Sequence, residues 1–446
     1  MKRRINHRVI YTVFSGLIIF LGTLIAIQYA QGKFRSFDEN ITQGSALLAA
    51  NSFPTGAEVY VDGTLTTATD DTLYLTPGTY NVEIKKEGYN TWKKQLLLES
   101  ELVTQTNATL FPISPNLTAL TFTGISSLSP SPDGLKIAYY NASASSELKK
   151  GIYVLELSDN PLGFQKGAKQ VAVDVPEYEL GQANYIWSPD STELLVQTPV
   201  KTMLLDISKT NELRTLPDQE LRLSTLLSTW EEEMYLREVE YLREFPPEIR
   251  QIATQSATNT YISPDKKRLL YTAKESLTIP ESLVTAPPSI NSQQQTRTLT
   301  PETIYVYDRE EDTNFMVGAA SPSADTTEKV FLSATARPTL LTSVASPSAF
   351  ATLQATAAAQ TAQQFAAYHT SVAVDTLQWF PDSKHLIYIK DAAINIINYD
   401  GTNQTVLYSG PFENNFLYPW PDGSRVVIAT VLSLDAPVNL YAVEIR

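Results

Sequence analysis

The chain has no cysteine at all. This removes disulfides, thiolate catalysis, cysteine-ligated metals and the cysteine-linked lipid anchor of bacterial lipoproteins in one step, and leaves stability to packing. Histidine is nearly as scarce, with three in 446 residues, His7, His369 and His385. Basic residues number 34 against 48 acidic ones, for a formal net charge of −14, and they do not concentrate on any folded segment. Nucleic acid is excluded as a partner on that ground, because neutralising phosphates needs a positive surface. The sequence also lacks Gly-x-Ser-x-Gly, His-Glu-x-x-His, a glycine-rich phosphate loop and a calcium loop of alternating acids. No catalytic, cofactor-binding or metal-ligating residue is therefore assigned, no cofactor is expected, and the chain reads as a non-enzyme. His385 sits in an apolar run beside Lys384 and is expected at an exposed or edge-strand position. The run Glu231-Glu232-Glu233 reads as a solvated helix face.

With 43% hydrophobic residues the chain has enough apolar surface for two or three cores. Lys2, Arg3, Arg4 and Arg8 precede an uncharged run, Val9 to Ile27. At 1.5 Å per residue that run spans about 28 Å, close to the hydrocarbon core of a bilayer. Residues 9–29 are accordingly expected to be a single transmembrane helix. Residues 1–8 would form a cytoplasmic tail and the bulk of the chain would lie outside the cytoplasm. The rival reading is a cleaved signal peptide, but no small-x-small pair is well placed for cleavage. Residues 30–46 read as a polar tether.

Residues 47–112 carry the signs of a small β domain. Strands are expected at Leu47 to Phe53, Glu58 to Val61, around Leu73 to Leu75, Thr79 to Lys85 and Lys94 to Glu99, with turns at Asp62-Gly63 and Pro77-Gly78. The pattern Ser52-x-Pro54-x-Gly56-Ala57-x-Val59-Tyr60-Val61-Asp62-Gly63, then Leu75-x-Pro77-Gly78-x-Tyr80-x-Val82 and Gly88-Tyr89, resembles the PEGA domain. That resemblance implies a small extracytoplasmic β-sandwich, with the glycines and prolines serving backbone geometry.

From residue 117 to 446 a Pro-Asp pair precedes a short apolar run five times: Asp133, Asp190, Asp265, Asp382 and Asp422. Proline fixes φ for a bend, and the aspartate is expected to accept a hydrogen bond from the backbone two residues on, making each copy a loop-to-strand corner. A second β-rich run follows each corner, at Ile152 to Leu157, Thr202 to Ile207, Thr303 to Tyr307, Ile394 to Tyr399 and Asn439 to Ile445. The aspartates are 57, 75, 117 and 40 residues apart, and the shortest spacing matches one propeller blade. Trp187-Ser188-Pro189-Asp190 and Ile304-Tyr305-Val306-Tyr307-Asp308 resemble the WD40-like, TolB-type propeller repeat, although Phe380 and Trp420 stand where serine is usual. The resemblance implies a β-propeller of five or six blades. The lone run Leu117 to Thr123 is expected to close the ring by pairing with Asn439 to Ile445.

Two inserts interrupt the repeats. Residues 216–256 hold an expected helix over 219–244, with Leu223, Leu227, Trp230 and Met234 on one stripe and Glu233 and Arg237 placed for an i,i+4 pair. Residues 318–370 are of low complexity, with an Ala-rich helix expected after Ser346-Pro347. The loop 276–301 reads as a flexible excursion. Trp187, Trp379 and Trp420, at or beside corners, either wedge blades apart or line a rim that grips carbohydrate or peptide.

The functional expectation is a membrane-anchored, extracytoplasmic binding or scaffold protein of a bacterial or archaeal envelope. Its propeller would bind an envelope protein or a cell-wall polysaccharide. The alternative is an accessory or gating subunit of an envelope hydrolase, a peptidase or glycosidase supplied by a partner chain.

Overall fold

The computed structural model describes residues 7–30, 45–158, 167–285, 291–319, 377–413, 416–433 and 436–446. The chain divides into two compact units, Met1–Leu110 with Ser289–Gln293, and Phe111–Pro288 with Gln294–Arg446.

Unit 1 opens with α1 (His7–Ala30). Its described side chains, over 14–27, are exposed throughout. Among the described residues no helix is long and apolar enough to cross a membrane. The transmembrane expectation for 9–29 is thus not carried by the described residues.

Nine strands follow: β1 (Ala46–Ala50), β2 (Ser52–Phe53), β3 (Glu58–Val61), β4 (Thr64–Ala68), β5 (Asp71–Leu75), β6 (Gly78–Lys85), β7 (Trp92–Leu98), β8 (Val103–Gln105) and β9 (Ala108–Thr109). They form one sheet in the order β5-β1-β8, a second in the order β4-β3-β6-β7, and the short pair β2-β9. The alternation along β7, with Trp92, Leu96 and Leu98 buried and Lys93, Gln95 and Leu97 exposed, follows the two-residue period of a strand with one wet face. Leu48, Val59, Ile84, Trp92, Leu96, Leu98 and Leu110 fill one core. The five expected strands are present, and β4, β8 and β9 are additions that the sequence reading did not contain.

Among its described residues unit 2 has five antiparallel sheets, which we number I to V. A leading strand, β10 (Leu117–Ala119), comes first. Sheet I holds β11 (Ser126–Pro130), β12 (Lys136–Asn141), β13 (Gly151–Glu156) and β14 (Lys169–Val173). Sheet II has three strands, β15 (Asn184–Trp187), β16 (Glu193–Gln197) and β17 (Thr202–Asp206). Sheet III holds β18 (Ala257–Ile262), β19 (Arg268–Ala273), β20 (Thr303–Asp308) and β21 (Thr313–Ala319). Sheet IV holds β22 (Gln378–Trp379), β23 (His385–Lys390), β24 (Ala393–Asn398) and β25 (Thr405–Tyr408). Sheet V holds β26 (Leu417–Pro419), β27 (Arg425–Thr430) and β28 (Asn439–Glu444). Its fourth strand is β10, which pairs Leu117 with Val443 and Ala119 with Tyr441, so the first strand of the unit is sealed by the last, as the sequence suggested.

Shared cores join the sheets in cyclic order. Alternate side chains of one strand serve two different neighbours: Ala138 packs with Trp187 and Leu194 of sheet II, while Ile137 packs with Val427 and Leu440 of sheet V. Sheets III and IV share Leu270, Val306, Leu386 and Ile397, and sheets IV and V share Ile387, Ile394, Val426 and Val443. Between sheets II and III, no core among the described residues is made by the two sheets alone. There the insert lies, as α2 (Leu223–Leu242) and α3 (Pro247–Gln251). Leu223, Leu227 and Trp230 of α2 pack on Ile186 and Leu195 of sheet II. Leu242, Phe245 and Ile249 pack on Leu269, Tyr271 and Tyr307 of sheet III. The helical stripe read from the sequence thus buries against the chain's own sheets.

Two expectations need correction or restriction. The loop 276–301 is not a flexible excursion over its described residues: Ile279 and Leu299 are buried, and Thr278 bridges Thr298. Hydroxyls protruding from sheet III hold the surrounding network, with Thr300 N–H donating to Tyr305 Oη at 2.9 Å and Tyr307 Oη donating to Asp312 at 2.8 Å. Buried polar tips need such partners, which is why the strap stays down. Of the insert 318–370, only 318–319 are described, as the end of β21; the expected Ala-rich helix lies outside the described residues.

Candidate functional site

The repeated corners are the unit's most conspicuous chemistry, and all five share one backbone geometry. The first residue donates its N–H across the corner: Ser131 to Lys136 O, Ser188 to Glu193 O, Ser263 to Arg268 O, Phe380 to His385 O and Trp420 to Arg425 O, at 2.8–3.0 Å. The residue after the aspartate is left-handed in every copy: Gly134 (φ 76°), Ser191 (59°), Lys266 (63°), Ser383 (58°) and Gly423 (70°). Only glycine takes that conformation freely, so three copies bear backbone strain that the corner must offset. The aspartates supply part of the offset. One carboxylate oxygen of each accepts the N–H two residues on: Leu135 (2.9 Å), Thr192 (3.2 Å), Lys267 (3.1 Å), Lys384 (3.0 Å) and Ser424 (2.8 Å). The expected capping role is met at all five positions.

At two corners the same side chains also make a tie to the next corner. Lys136 Nζ pairs with Asp133 at 2.8 Å and donates to Ser191 O of the following corner at 3.2 Å, while Ser191 Oγ accepts Asp133 N–H at 3.1 Å. The link from sheet III to sheet IV repeats this: Arg268 donates to Ser383 O at 3.1 Å, and Ser383 Oγ accepts Asp265 N–H at 3.0 Å. Arg446 closes on Asp382 from the C-terminus. The left-handed serines therefore earn their strain as acceptors between sheets.

Sheet II departs from the pattern. Three residues after the aspartate the other corners carry a base, Lys136, Arg268, His385 and Arg425, whereas sheet II carries Glu193. Partial burial, with Asp190 and Asp206 nearby, raises the Glu193 carboxyl above its ordinary range. Its next neighbour is a helix rather than a sheet, and the cation comes from there: Arg237 of α2 donates to Pro189 O at 3.2 Å and pairs with Glu233 at 3.0 Å. On the other side Lys266 stands 3.9 Å over the Tyr241 ring.

Carboxylate acidity follows these contacts. At Asp133 burial opposes ionisation, but Lys136 and the Ser131 hydroxyl outweigh it and lower the carboxyl. Asp190 is lowered first by the Ser188 hydroxyl, at 2.6 Å. Asp382 is lowered most; burial opposes the charge, and His385, the Lys384 N–H and Arg446 prevail.

His385 is neither exposed nor on an edge. It lies on β23, an inner strand, is buried, and sets Nδ1 2.8 Å from Asp382 with Phe111 edge-on at 5.3 Å. The sequence reading missed this because a strand holding one histidine beside lysine looks half-polar, while its partner Asp382 lies three residues back across the corner. The tryptophans take the wedge role. Trp187 and Trp420 are fully buried, Trp187 Nε1 donates to Ser129 O of sheet I, and Trp379 Nε1 donates to Tyr261 O of sheet III, both at 3.0 Å. Of the acidic run, Glu232 and Glu233 are exposed, whereas partial burial raises the Glu231 carboxyl. Among the described residues no group of three or more acids and histidines is placed to hold a metal ion.

The PEGA domain family matches residues 45–114. No curated protein matches the chain. Similar solved structures include a TolB from Agrobacterium tumefaciens, 13% identical, covering 73% of this chain and 82% of that one with a TM-score of 0.21. TolB from Acinetobacter baumannii is 12% identical over 88% of this chain and 65% of that one, with a TM-score of 0.18. An oligogalacturonate lyase from Vibrio parahaemolyticus is 9% identical over 87% and 96%, with a TM-score of 0.23. Superpositions at these TM-scores carry no argument about this chain.

Proposed function

We propose that this chain is a non-enzymatic binding or scaffold protein of a cell envelope, held by its N-terminal helix in the membrane, with the chain beyond about residue 30 outside the cytoplasm. On this reading unit 2 is a five-bladed propeller with α2 wedged between its second and third blades, and its faces bind an envelope protein or a cell-wall polysaccharide. The observation that carries the non-enzymatic reading is that the recurring acids are spent on the fold: all five motif aspartates accept a turn N–H. The PEGA match at 45–114 supports the envelope setting. The exposed apolar side chains of α1, such as Phe14, Ile19 and Phe20, support the anchor, because lipid is a solvent in which they cost nothing.

The absence of native cysteine makes the test direct. Thr66→Cys on unit 1 and Lys384→Cys on unit 2 place single thiols at exposed positions. A membrane-impermeant maleimide should label both in intact cells stripped of any outer barrier; labelling only after lysis removes the extracytoplasmic reading. Crosslinking from Lys384→Cys should then recover an envelope protein or wall polymer, and recovery of neither removes the binding role.

A further inference from the structure

Edge strands with open backbone groups template pairing with another chain, and proteins cover or charge them. In the sheet β4-β3-β6-β7, β7 is such an edge. Two of its outward main-chain groups are met by side chains of a stretch distant in sequence but belonging to the same compact unit, Ser289–Gln293. Gln293 Nε2 donates to Gln95 O at 2.7 Å, and Leu97 N–H donates to Ser292 Oγ at 3.1 Å. The carbonyl of Gln95 and the N–H of Leu97 are successive outward ladder groups, which in an added antiparallel strand would be taken by the backbones of the residues opposite Gln95 and Leu97. Here two polar side chains take them.

We propose that Ser292 and Gln293 guard β7 against pairing with β7 of a second copy of this chain. The edge is self-complementary. An antiparallel pair centred on Gln95 sets Gln95 against Gln95 and Lys93 against Leu97, so no like charges oppose and the lysine stem lies along the leucine. Every added contact is then made twice, as two-fold symmetry requires. Side-chain caps on an edge are displaceable by a full backbone ladder. Removing the guard therefore releases the edge for a copy of itself.

A disulfide reports this pairing without background in a chain that lacks cysteine. Residues opposed in a hydrogen-bonded antiparallel pair have Cα atoms about 5.5 Å apart, within disulfide reach. Full-length protein in detergent, carrying Gln95→Cys, should give little disulfide dimer under mild oxidation. Adding Ser292→Ala and Gln293→Ala should raise the dimer roughly tenfold, the factor expected for losing two competing hydrogen bonds. Thr66→Cys, on the opposite edge strand β4, should not respond. The proposal is overturned by no rise, by an equal rise at Thr66→Cys, or by full dimer with the guard intact. If the triple variant fails to fold, by circular dichroism, Gln95→Cys with Gln293→Ala alone should still rise severalfold, and a flat result there overturns it equally.

Discussion

Replacing Arg268 by methionine should destabilise unit 2 by about 4 kcal/mol. Arg268 is largely buried and does several things at once: Nε lies 2.7 Å from Asp308, Nη1 lies 3.3 Å from Asp265 and donates to Ser383 O, and the guanidinium sits 4.2 Å from the Tyr399 ring centroid. Burial works against its charge, and Asp308, Tyr399 and Asp265 outweigh it. The 2.7 Å contact with Asp308 is an ion pair without hydrogen-bond alignment, so its value is electrostatic. Arg268→Met keeps the apolar stem but leaves the Asp308 carboxylate, 1% exposed, without its cation. Stranding a buried charge in this way costs ~3–5 kcal/mol, and losing the link to Ser383 about 1 more. The 14% exposure of Arg268 and the N–H donors of Glu310 and Glu311 on Asp308 place the sum at the lower end. Urea unfolding followed by tryptophan emission reads unit 2 chiefly, since Trp187, Trp230, Trp379 and Trp420 all belong to it. Pairing Arg268→Met with Asp308→Asn should recover about 2 kcal/mol, because the stranded charge is gone. A single variant within about 1 kcal/mol of the parent, or a double variant no better than the single, refutes the reasoning.

Asp382 is lowered in the folded state, so its contribution is present above the ordinary carboxylate range and is lost as pH falls through its folded value. Asp382→Asn should flatten the acid limb of the stability profile below about pH 4, measured by thermal unfolding across pH. Glu193 has the opposite sign: its raised carboxyl withdraws stability as pH rises through that value, so Glu193→Gln should stabilise at pH 7 by a few tenths of a kcal/mol, discounted for its exposure, with no gain at pH 4. Trp230→Ala should cost about 3–5 kcal/mol in the same urea assay, because α2 is a structural wedge; a loss under about 1 would mean that α2 is no part of the unit's packing. Trp187→Phe, which loses the bond to Ser129 O, should cost about 1–2 kcal/mol by the same measure.

The corners were legible because their signal is local. Proline, aspartate and the N–H two residues on lie within a few positions, so the sequence carries the whole of that contact. The left-handed residue was legible only at Gly134 and Gly423. Ser191, Lys266 and Ser383 hide it, because what stabilises two of them is an acceptor role toward a neighbouring sheet, 58 residues away for Ser191 and 118 for Ser383. The same reason hid His385, whose burial depends on Phe111 and on Arg446 beside Asp382. The strap at 276–301 looked flexible because its anchors, the Tyr305 hydroxyl and the Asp312 carboxylate, lie beyond it in sequence, on residues that read as plain core and plain turn. The closing strand was found from an arithmetic of strands, one left over at each end, and that argument needs no side chain.

The exception at sheet II shows how the corner code and the insert depend on each other. A base three residues after the aspartate is useful where another corner follows, since its charge then reaches that corner's carbonyl, as Lys136 and Arg268 do. After Asp190 no corner follows directly; α2 comes next and brings its own cation, Arg237, to Pro189 O. The acid among bases is therefore a sequence-level mark of where the succession of sheets gives way to a helix, and the buried face of α2 belongs to unit 2's own packing.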